Sequence, residues 1–153
     1  MLYEIFLVAL TTMSPLLELN GGIPFGIYLG LNPLLVFLVA IFFNSIIFFP
    51  VYFLIDFFYK SIFSKFQIFK KYLERTRKKA KPYVEKYGYL GLTFFISIPT
   101  PLTGAYTGAI ASWLLKMDWK KSFLAILIGV IINGLIILLA VLGIIKGYSF
   151  LYK

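Results

Sequence analysis

The sequence predicts an all-α integral membrane protein with two transmembrane helices, two re-entrant helical hairpins in an inverted repeat, and an amphipathic cytoplasmic helix. Its 153 residues are 61% hydrophobic and 14% charged, whereas soluble domains are roughly 45–50% apolar and about 25% charged. Two long apolar stretches contain almost no polar residue, and two others are interrupted by Pro and Gly. We expect the whole chain, 1–153, to form a single membrane domain.

The predicted transmembrane helices cover residues 33–58 and 122–145. The first stretch is apolar apart from Asn44, Ser45 and Asp56, and the second contains no charged residue. Both exceed the length of about 20 residues that a helix needs to cross a bilayer. Pro50 is expected to kink the first helix, because proline removes a main-chain hydrogen bond.

The basic residues cluster between the two spans, and ten of the fifteen Lys and Arg lie in residues 60–86. This position is typical of a cytoplasmic loop and argues against nucleic acid as the partner. Steps of three and four predict an amphipathic helix on the membrane surface, interrupted or restarted at Pro82. Its stripe comprises Ile62, Phe66, Phe69, Leu73, Thr76, Ala80 and Val84. The helix either anchors the topology or binds lipid headgroups specifically.

Residues 88–116 are predicted to form a re-entrant hairpin. Basic residues flank this segment on both sides, so both flanks are expected in the cytoplasm. Two crossings need on the order of 40 residues, more than the segment offers. Breaks in the backbone are expected at Pro99, Pro101 and Gly104. The alternative is a single span kinked at the prolines, with residues 116–121 outside.

Residues 1–31 repeat this design, with a polar break between two short apolar arms. The spacing Gly22-x-x-x-Gly26 after the first break matches Gly104-x-x-x-Gly108 after the second. One hairpin would enter from outside and the other from inside, which gives the inverted repeat found in many secondary transporters. Thr76 and Trp119 should then face the cytoplasm. Asn32 and Lys153 should face outward.

Glu18 is the first candidate for proton or substrate binding. A charged side chain at the bilayer centre costs about 2.5–3.5 kcal/mol, so an acid at a hairpin tip calls for a function. The structural alternative is that Glu18 caps a half-helix beginning near Gly22. Asp56 is a weaker candidate, since it could simply pair with Lys60 one turn later.

Neutral polar residues lie at both tips and are candidates for substrate contact or for satisfying broken backbone: Asn20, Thr100, Thr103 and Thr107. Asn44 and Asn133, within the spans, are expected to bond neighbouring helices. The half-helix N-termini near Gly22 and Gly104 favour an anion. An acid among aromatic rings favours an organic cation. The residues leave both substrate classes open.

The composition argues against enzymatic chemistry. The chain has neither His nor Cys, which removes imidazole and thiolate metal sites, His-based triads and disulfides. No pair of nucleophile and base is apparent. We therefore expect neither catalysis nor a cofactor or metal.

Two segments, "PLLELNGGIPFGI" and "KYGYLGLTFFISIPTPLTGAYTGAIASWLLKM", resemble the putative small multidrug export proteins, a group similar to the DedA membrane proteins. The resemblance covers nearly the whole chain. It implies a multi-pass protein of the inner (cytoplasmic) membrane with paired re-entrant hairpins and a transport role; for DedA relatives it implies proton-dependent carriage of lipid phosphates. The motif positions present are Glu18, Pro24, Pro99, Pro101, Thr103, Gly104 and Gly108.

The chain departs from these relatives at two places. Family members often carry Arg where Asn20 stands, and DedA proteins carry Arg in the second hairpin, where Thr100 and Thr103 stand here. The expected function is a small secondary transporter for a lipophilic cation or a lipid phosphate, with proton coupling as the candidate driving force. The rival is a non-transporting scaffold whose hairpins build a homo-oligomer in the lipid bilayer through Gly22, Gly26, Gly104 and Gly108.

Overall fold

A computed structural model describes residues 1–59, 67–100 and 104–151. These ranges contain helices and no β-strand. In chain order the helices are α1 Leu2–Met13, α2 Glu18–Tyr28, α3 Pro33–Ile46, α4 Phe48–Phe58, α5 Gln67–Ser97, α6 Ala105–Leu114 and α7 Trp119–Leu151.

The first helical pair, α1 and α2, is separated by a short turn. Ser14 has extended backbone angles, φ −72° and ψ 129°, the conformation favoured for a residue that precedes a proline. Pro15 therefore ends α1. The second helix begins at Glu18, earlier than the predicted start near Gly22, because the two glycines and Pro24 are accommodated within the helix.

The first apolar stretch forms α3 and α4, which meet at Ile47. The Asn32 side chain begins α3 by accepting hydrogen bonds from the main-chain N–H groups of Leu34 and Leu35, at 2.9 and 3.3 Å. The interruption lies in the turn before Pro50, which has no N–H to bond back to that turn. Together the two helices form a 26-residue apolar segment, long enough to cross a membrane.

The fifth helix, α5, consists of two arms that fold back on each other at Gly88. Gly88 has φ 59° and ψ −129°, a conformation that only glycine adopts readily. The ring of Tyr83 before the turn lies 5.9 Å from that of Phe94 and 5.7 Å from that of Phe95. We call residues 67–87 the basic arm and residues 89–97 the inner arm.

The helix breaks at Gly88, and the predicted interruption at Pro82 was wrong. Pro82 lies inside the basic arm, whose backbone stays helical there. The position of this helix on the membrane surface stays a prediction, but in the described part its apolar stripe faces the protein. Leu73, Thr76 and Ala80 are buried within the protein, and Leu73 packs with residues of α4 and α6. Residues 62 and 66 lie outside the described residues.

The last helix, α7, runs alongside the inner arm of α5 in the same direction. The Asp118 N–H donates to the Tyr89 hydroxyl at 3.2 Å, and the Thr93 hydroxyl donates to the Ala125 carbonyl at 3.0 Å. Residues 119–146 form a 28-residue apolar segment able to cross a membrane. Both apolar helices predicted from the sequence are thus confirmed. The re-entrant course of residues 1–31 and 88–116 stays a prediction.

Candidate functional site

The Glu18 carboxylate lies at the N-terminal end of α6, where the first helical pair, α1 and α2, meets a second pair formed by the inner arm of α5 and α6. Its side chain is 2% exposed and accepts a hydrogen bond from the main-chain N–H of Tyr106. A Cβ atom added to Gly104 would lie 1.6 Å from Oε2. The carboxylate therefore fits against the start of α6 because residue 104 has no side chain.

Part of this carboxylate is buried without a partner. Its Oε1 atom is inaccessible and makes no hydrogen bond to the residues that the structure describes. The ion pairs in the described ranges join the N-terminus to Glu4 and Lys81 to Glu85, so neither neutralises Glu18. An unpaired buried charge is costly, and binding a proton or a cation would remove that cost.

The backbone at Glu18 is also unusual, with φ 44°. Few residues other than glycine adopt this left-handed region, and holding one there costs on the order of 1–3 kcal/mol. The rest of the fold must stabilise this conformation. Strain of this kind is concentrated at functional sites in proteins.

The capping role considered for Glu18 occurs at a different helix from the one expected. We expected Glu18 to cap its own half-helix, but its carboxylate meets the first turn of α6. A helix N-terminus carries a partial positive charge that stabilises a carboxylate. The end of α6 that could attract an anionic ligand is therefore already occupied by an acid of the chain itself.

Two hydrogen bonds connect the breaks of the two helical pairs. The Asn20 amide donates to the main-chain carbonyl of Thr100, at 3.5 Å. The Tyr106 hydroxyl donates to the Met13 carbonyl, at 2.6 Å. The end of α1 and the start of α6 are thus joined directly, as are the start of α2 and the segment after α5.

Each apolar span contributes one buried asparagine at corresponding places. Asn44 of α3 is fully buried and donates to the Thr12 carbonyl near the end of α1, at 3.2 Å. Asn133 of α7 is 1% exposed and donates to the Ile96 carbonyl near the end of the inner arm, at 2.8 Å. The side-chain oxygen of each asparagine is buried and has no hydrogen bond within the described ranges.

Gly26 in α2 and Gly108 in α6 also occupy corresponding positions. A Cβ on Gly26 would lie 2.7 Å from Val36 of the following span and 2.8 Å from Val8 of the preceding arm. A Cβ on Gly108 would lie 2.9 Å from Ile126 and 3.0 Å from Ile96, which have the same relation to it. Glycine thus permits close packing between arm and span in both halves.

The four glycines of the predicted oligomer interface make contacts within the chain, and the interface itself stays a prediction. Gly22 packs against Thr12, and Gly104 packs against Glu18. Gly26 and Gly108 pack inside the same chain in the same way. All four glycines are buried, so none presents a smooth outer surface to a second copy.

The other predicted site residues are dispersed. Asp56 does not lie with Glu18; its carboxylate accepts a hydrogen bond from the indole N–H of Trp113, at 2.9 Å. Pro24 lies inside α2, and Pro99 and Thr100 are exposed. Pro101, Thr103 and the predicted Asp56 partner Lys60 lie outside the described residues. Within the described ranges, no three His, Cys, Asp or Glu side chains form a group that could hold a metal ion.

The predicted role of Asn44 and Asn133 as residues that bond neighbouring helices is confirmed. Sequence reasoning missed one residue of the site. Tyr106 was not singled out. Its hydroxyl is ordinary in a chain with eleven tyrosines, and only the fold brings it to the end of α1.

Comparison with curated proteins gave no match, and comparison with solved structures gave none. A family model matches residues 18–136, a range that includes Glu18, both buried asparagines and all four glycines. The match covers well over half of the chain. The chain therefore belongs to the family described as putative small multi-drug export protein.

Proposed function

We propose that this protein is a small secondary transporter of the cytoplasmic membrane, in which Glu18 binds either a proton or a lipophilic organic cation. The observation that carries the proposal is the buried Glu18 carboxylate, whose Oε1 atom has no hydrogen-bond partner in the described part of the chain. The family description, which names small multi-drug export, supports an exported drug-like cargo. Alternate occupation of one acid by proton and cation would couple their movements.

The proposed architecture is an inverted repeat of two re-entrant hairpins, residues 1–31 and 88–116, each followed by a span. The paired contacts support it. Asn44 donates a hydrogen bond to the end of α1, and Asn133 donates one to the end of the inner arm of α5. Gly26 packs between α1 and α3, and Gly108 packs between the inner arm and α7. Broken helices meeting at the midplane are a common way to build a transport site.

The residues at the site favour a cation over a lipid phosphate as cargo. Lys and Arg bind phosphate through charge-assisted hydrogen bonds, but the first hairpin has neither, and the second has only Lys116 at its last position, away from its tip. The N-terminal end of α6 already holds Glu18. A phosphate would have to approach this acid, whereas a cation would be attracted by it.

An apolar groove on the first and last apolar spans suits a lipophilic cargo. It has a volume of about 690 Å³ and lies between α3 and α7. Aromatic rings of Phe37, Phe42 and Phe123 line it, and such rings attract organic cations. Ser45, beside Asn44, also lines the groove, and its hydroxyl is buried without a hydrogen bond. The groove would admit cargo from the lipid.

The test is transport by purified protein in liposomes. We expect proton-driven uptake of a lipophilic cation by the parent, and loss of that uptake in Glu18→Gln, which keeps the shape but removes the ionisable group. Glu85→Gln is the matched control, because Glu85 is an exposed acid in a surface ion pair with Lys81. A fluorescent polyprenyl phosphate is followed in parallel as the rival cargo.

The outcomes separate the alternatives. Cation uptake by Glu18→Gln that is as fast and as pH-dependent as that of the parent would rule out Glu18 as the coupling residue. Uptake of the polyprenyl phosphate without uptake of the cation would show that the cargo is a lipid phosphate and not the proposed cation. If correctly folded parent moves neither compound, the scaffold hypothesis gains support.

A further inference from the structure

A small polar cavity lies at the end of the first apolar span, away from Glu18. Its volume is about 190 Å³, and it is lined by Tyr59, Lys70, Leu73, Glu74, Arg77 and Leu114. It lies between the end of α4, the basic arm of α5 and the end of α6. The transport mechanism proposed above does not use any of these residues.

The cavity lies at the depth expected for lipid headgroups. The apolar segment 33–58 ends one residue before Tyr59, and the second apolar segment begins at Trp119. The ring of Tyr59 lies 4.8 Å from that of Trp113, and Trp119 lies 5.7 Å from Phe53 of α4. Tyr and Trp are enriched where spans meet the membrane surface.

The charge of the cavity favours a singly charged anion. Lys70 and Arg77 contribute two positive charges and Glu74 one negative charge, and no ion pair within the described ranges involves these three. Arg offers a planar fork of donors to phosphate oxygens, and Lys adds a point charge. The net single positive charge matches a phosphodiester, which carries one negative charge.

The surroundings favour a lipid as the source of that phosphodiester. The basic arm buries its apolar face against the protein, so its exposed Lys and Arg face outward. Described basic residues of the arm, all exposed, are Lys70, Lys71, Arg75, Arg77, Lys78, Lys79, Lys81 and Lys86. Such a surface attracts anionic lipids. Leu73 and Leu114 provide an apolar edge for the glycerol ester region.

We propose that this cavity is a binding site for the phosphodiester headgroup of an anionic membrane phospholipid. Arg77 and Lys70 hold the phosphate, and the Tyr59 ring lies beside it at the membrane surface. The bound lipid connects the end of α4 to the basic arm and to α6. The site does not depend on the transport proposal, and it could be correct if that proposal fails.

The test measures thermal stability of the full-length protein in a neutral detergent with added phosphatidylglycerol, phosphatidylcholine or inorganic phosphate. We expect phosphatidylglycerol to raise the melting temperature and the other two additives to have little effect. Because Lys70 and Arg77 would each lose a charge-assisted contact to the phosphate, we expect Lys70→Gln with Arg77→Gln to weaken apparent lipid affinity on the order of tenfold or more.

The matched control is Lys78→Gln with Lys86→Gln, which removes two positive charges from the same arm outside the cavity. This variant should keep the phosphatidylglycerol effect almost unchanged. An equal loss of affinity in both double variants would show a diffuse basic surface and overturn the cavity site. Equal stabilisation by inorganic phosphate would overturn the lipid as the ligand. No stabilisation of the folded parent by phosphatidylglycerol would overturn the proposal altogether.

Discussion

The Glu18 carboxylate accepts a hydrogen bond from the main-chain N–H of Tyr106, so an acid at the start of α2 caps the N-terminal end of α6. The Tyr106 hydroxyl in turn donates to the Met13 carbonyl at 2.6 Å. Neither half of the chain can complete this site alone. A movement of one half against the other must therefore change the environment of Glu18, which a coupling residue requires.

The contact between Gly104 and Glu18 gives the first prediction. In Gly104→Ala, the added methyl group would overlap Glu18 Oε2, because the Cβ position lies 1.6 Å from that atom. We expect the carboxylate to be displaced, folding stability to fall by about 1–3 kcal/mol, and cation uptake to fall at least tenfold. Thermal unfolding and the liposome assay measure these two effects.

Gly143→Ala is the control for this substitution. A Cβ at position 143 meets nothing within 4 Å, and alanine favours helix more than glycine by about 1 kcal/mol. Its stability should therefore stay the same or rise, with uptake unchanged. Parental uptake in Gly104→Ala would show that the close approach of Gly104 to Glu18 has no role in transport.

The two buried asparagines give a second prediction. Asn44 bonds the end of α1 and Asn133 the end of the inner arm, so Asn44→Leu and Asn133→Leu each free one hairpin. In an inverted repeat the two hairpins open to opposite faces. We expect Asn44→Leu to increase labelling of a cysteine at Thr100 from one face, and Asn133→Leu to increase it from the other.

A purely structural role for these amides predicts something different. Both variants would then lose stability by similar amounts, and their labelling would change equally from the two faces. Side-specific labelling with membrane-impermeant reagents distinguishes the two cases. Asn44→Asp and Asn133→Asp test the amide N–H₂ donor separately. Each keeps the size of the side chain but replaces the N–H₂ group with a carboxyl oxygen.

The turn at Gly88 gives a third prediction. Its φ of 59° with ψ of −129° strains any residue with a Cβ, although a Cβ there would meet no other atom. Gly88→Ala should destabilise the protein by about 1–3 kcal/mol through the backbone alone. Thermal unfolding measures this loss. An unchanged melting temperature would show that the arms do not need this conformation to fold back.

Composition and hydropathy were sufficient to predict the helical class and the two apolar segments, because these depend on local sequence. The break before Glu18 was placed too late, since the glycines and Pro24 suggested a loop and the fold accommodates them in a helix. The covering of the basic arm was unpredictable for a related reason. Leu73, Thr76 and Ala80 form a real apolar stripe, but the stripe alone does not show whether lipid or protein covers it.

The candidate site was predictable only in part. Glu18 was identified because an acid between apolar arms is conspicuous in a sequence with six acidic residues. Its contact with Tyr106 depends on how the two halves pack, and no local pattern encodes that. Asp56 illustrates the converse case, because its hydrogen bond to Trp113 joins α4 to a helix far along the chain.

The last prediction concerns topology and uses single cysteines in a chain that has none of its own. Thr76 is 3% exposed and would label poorly, so Lys78 replaces it as the reporter for the basic arm. Lys120 reports the start of α7, and Tyr28, 85% exposed and close to Asn32, reports the opposite face. We expect cysteines at 78 and 120 to react from the cytoplasmic side, and one at 28 to react from outside. Basic residues surround the first two positions and are absent from residues 1–31, in keeping with the positive-inside tendency.

Each variant is labelled with an impermeant maleimide in intact and in permeabilised cells, and its folding is checked by thermal unfolding. Cysteines at 78 and 120 on opposite faces would mean that residues 88–116 cross the membrane once. The two hairpins would then not be inverted copies, and Asn44 and Asn133 would no longer control access from opposite sides.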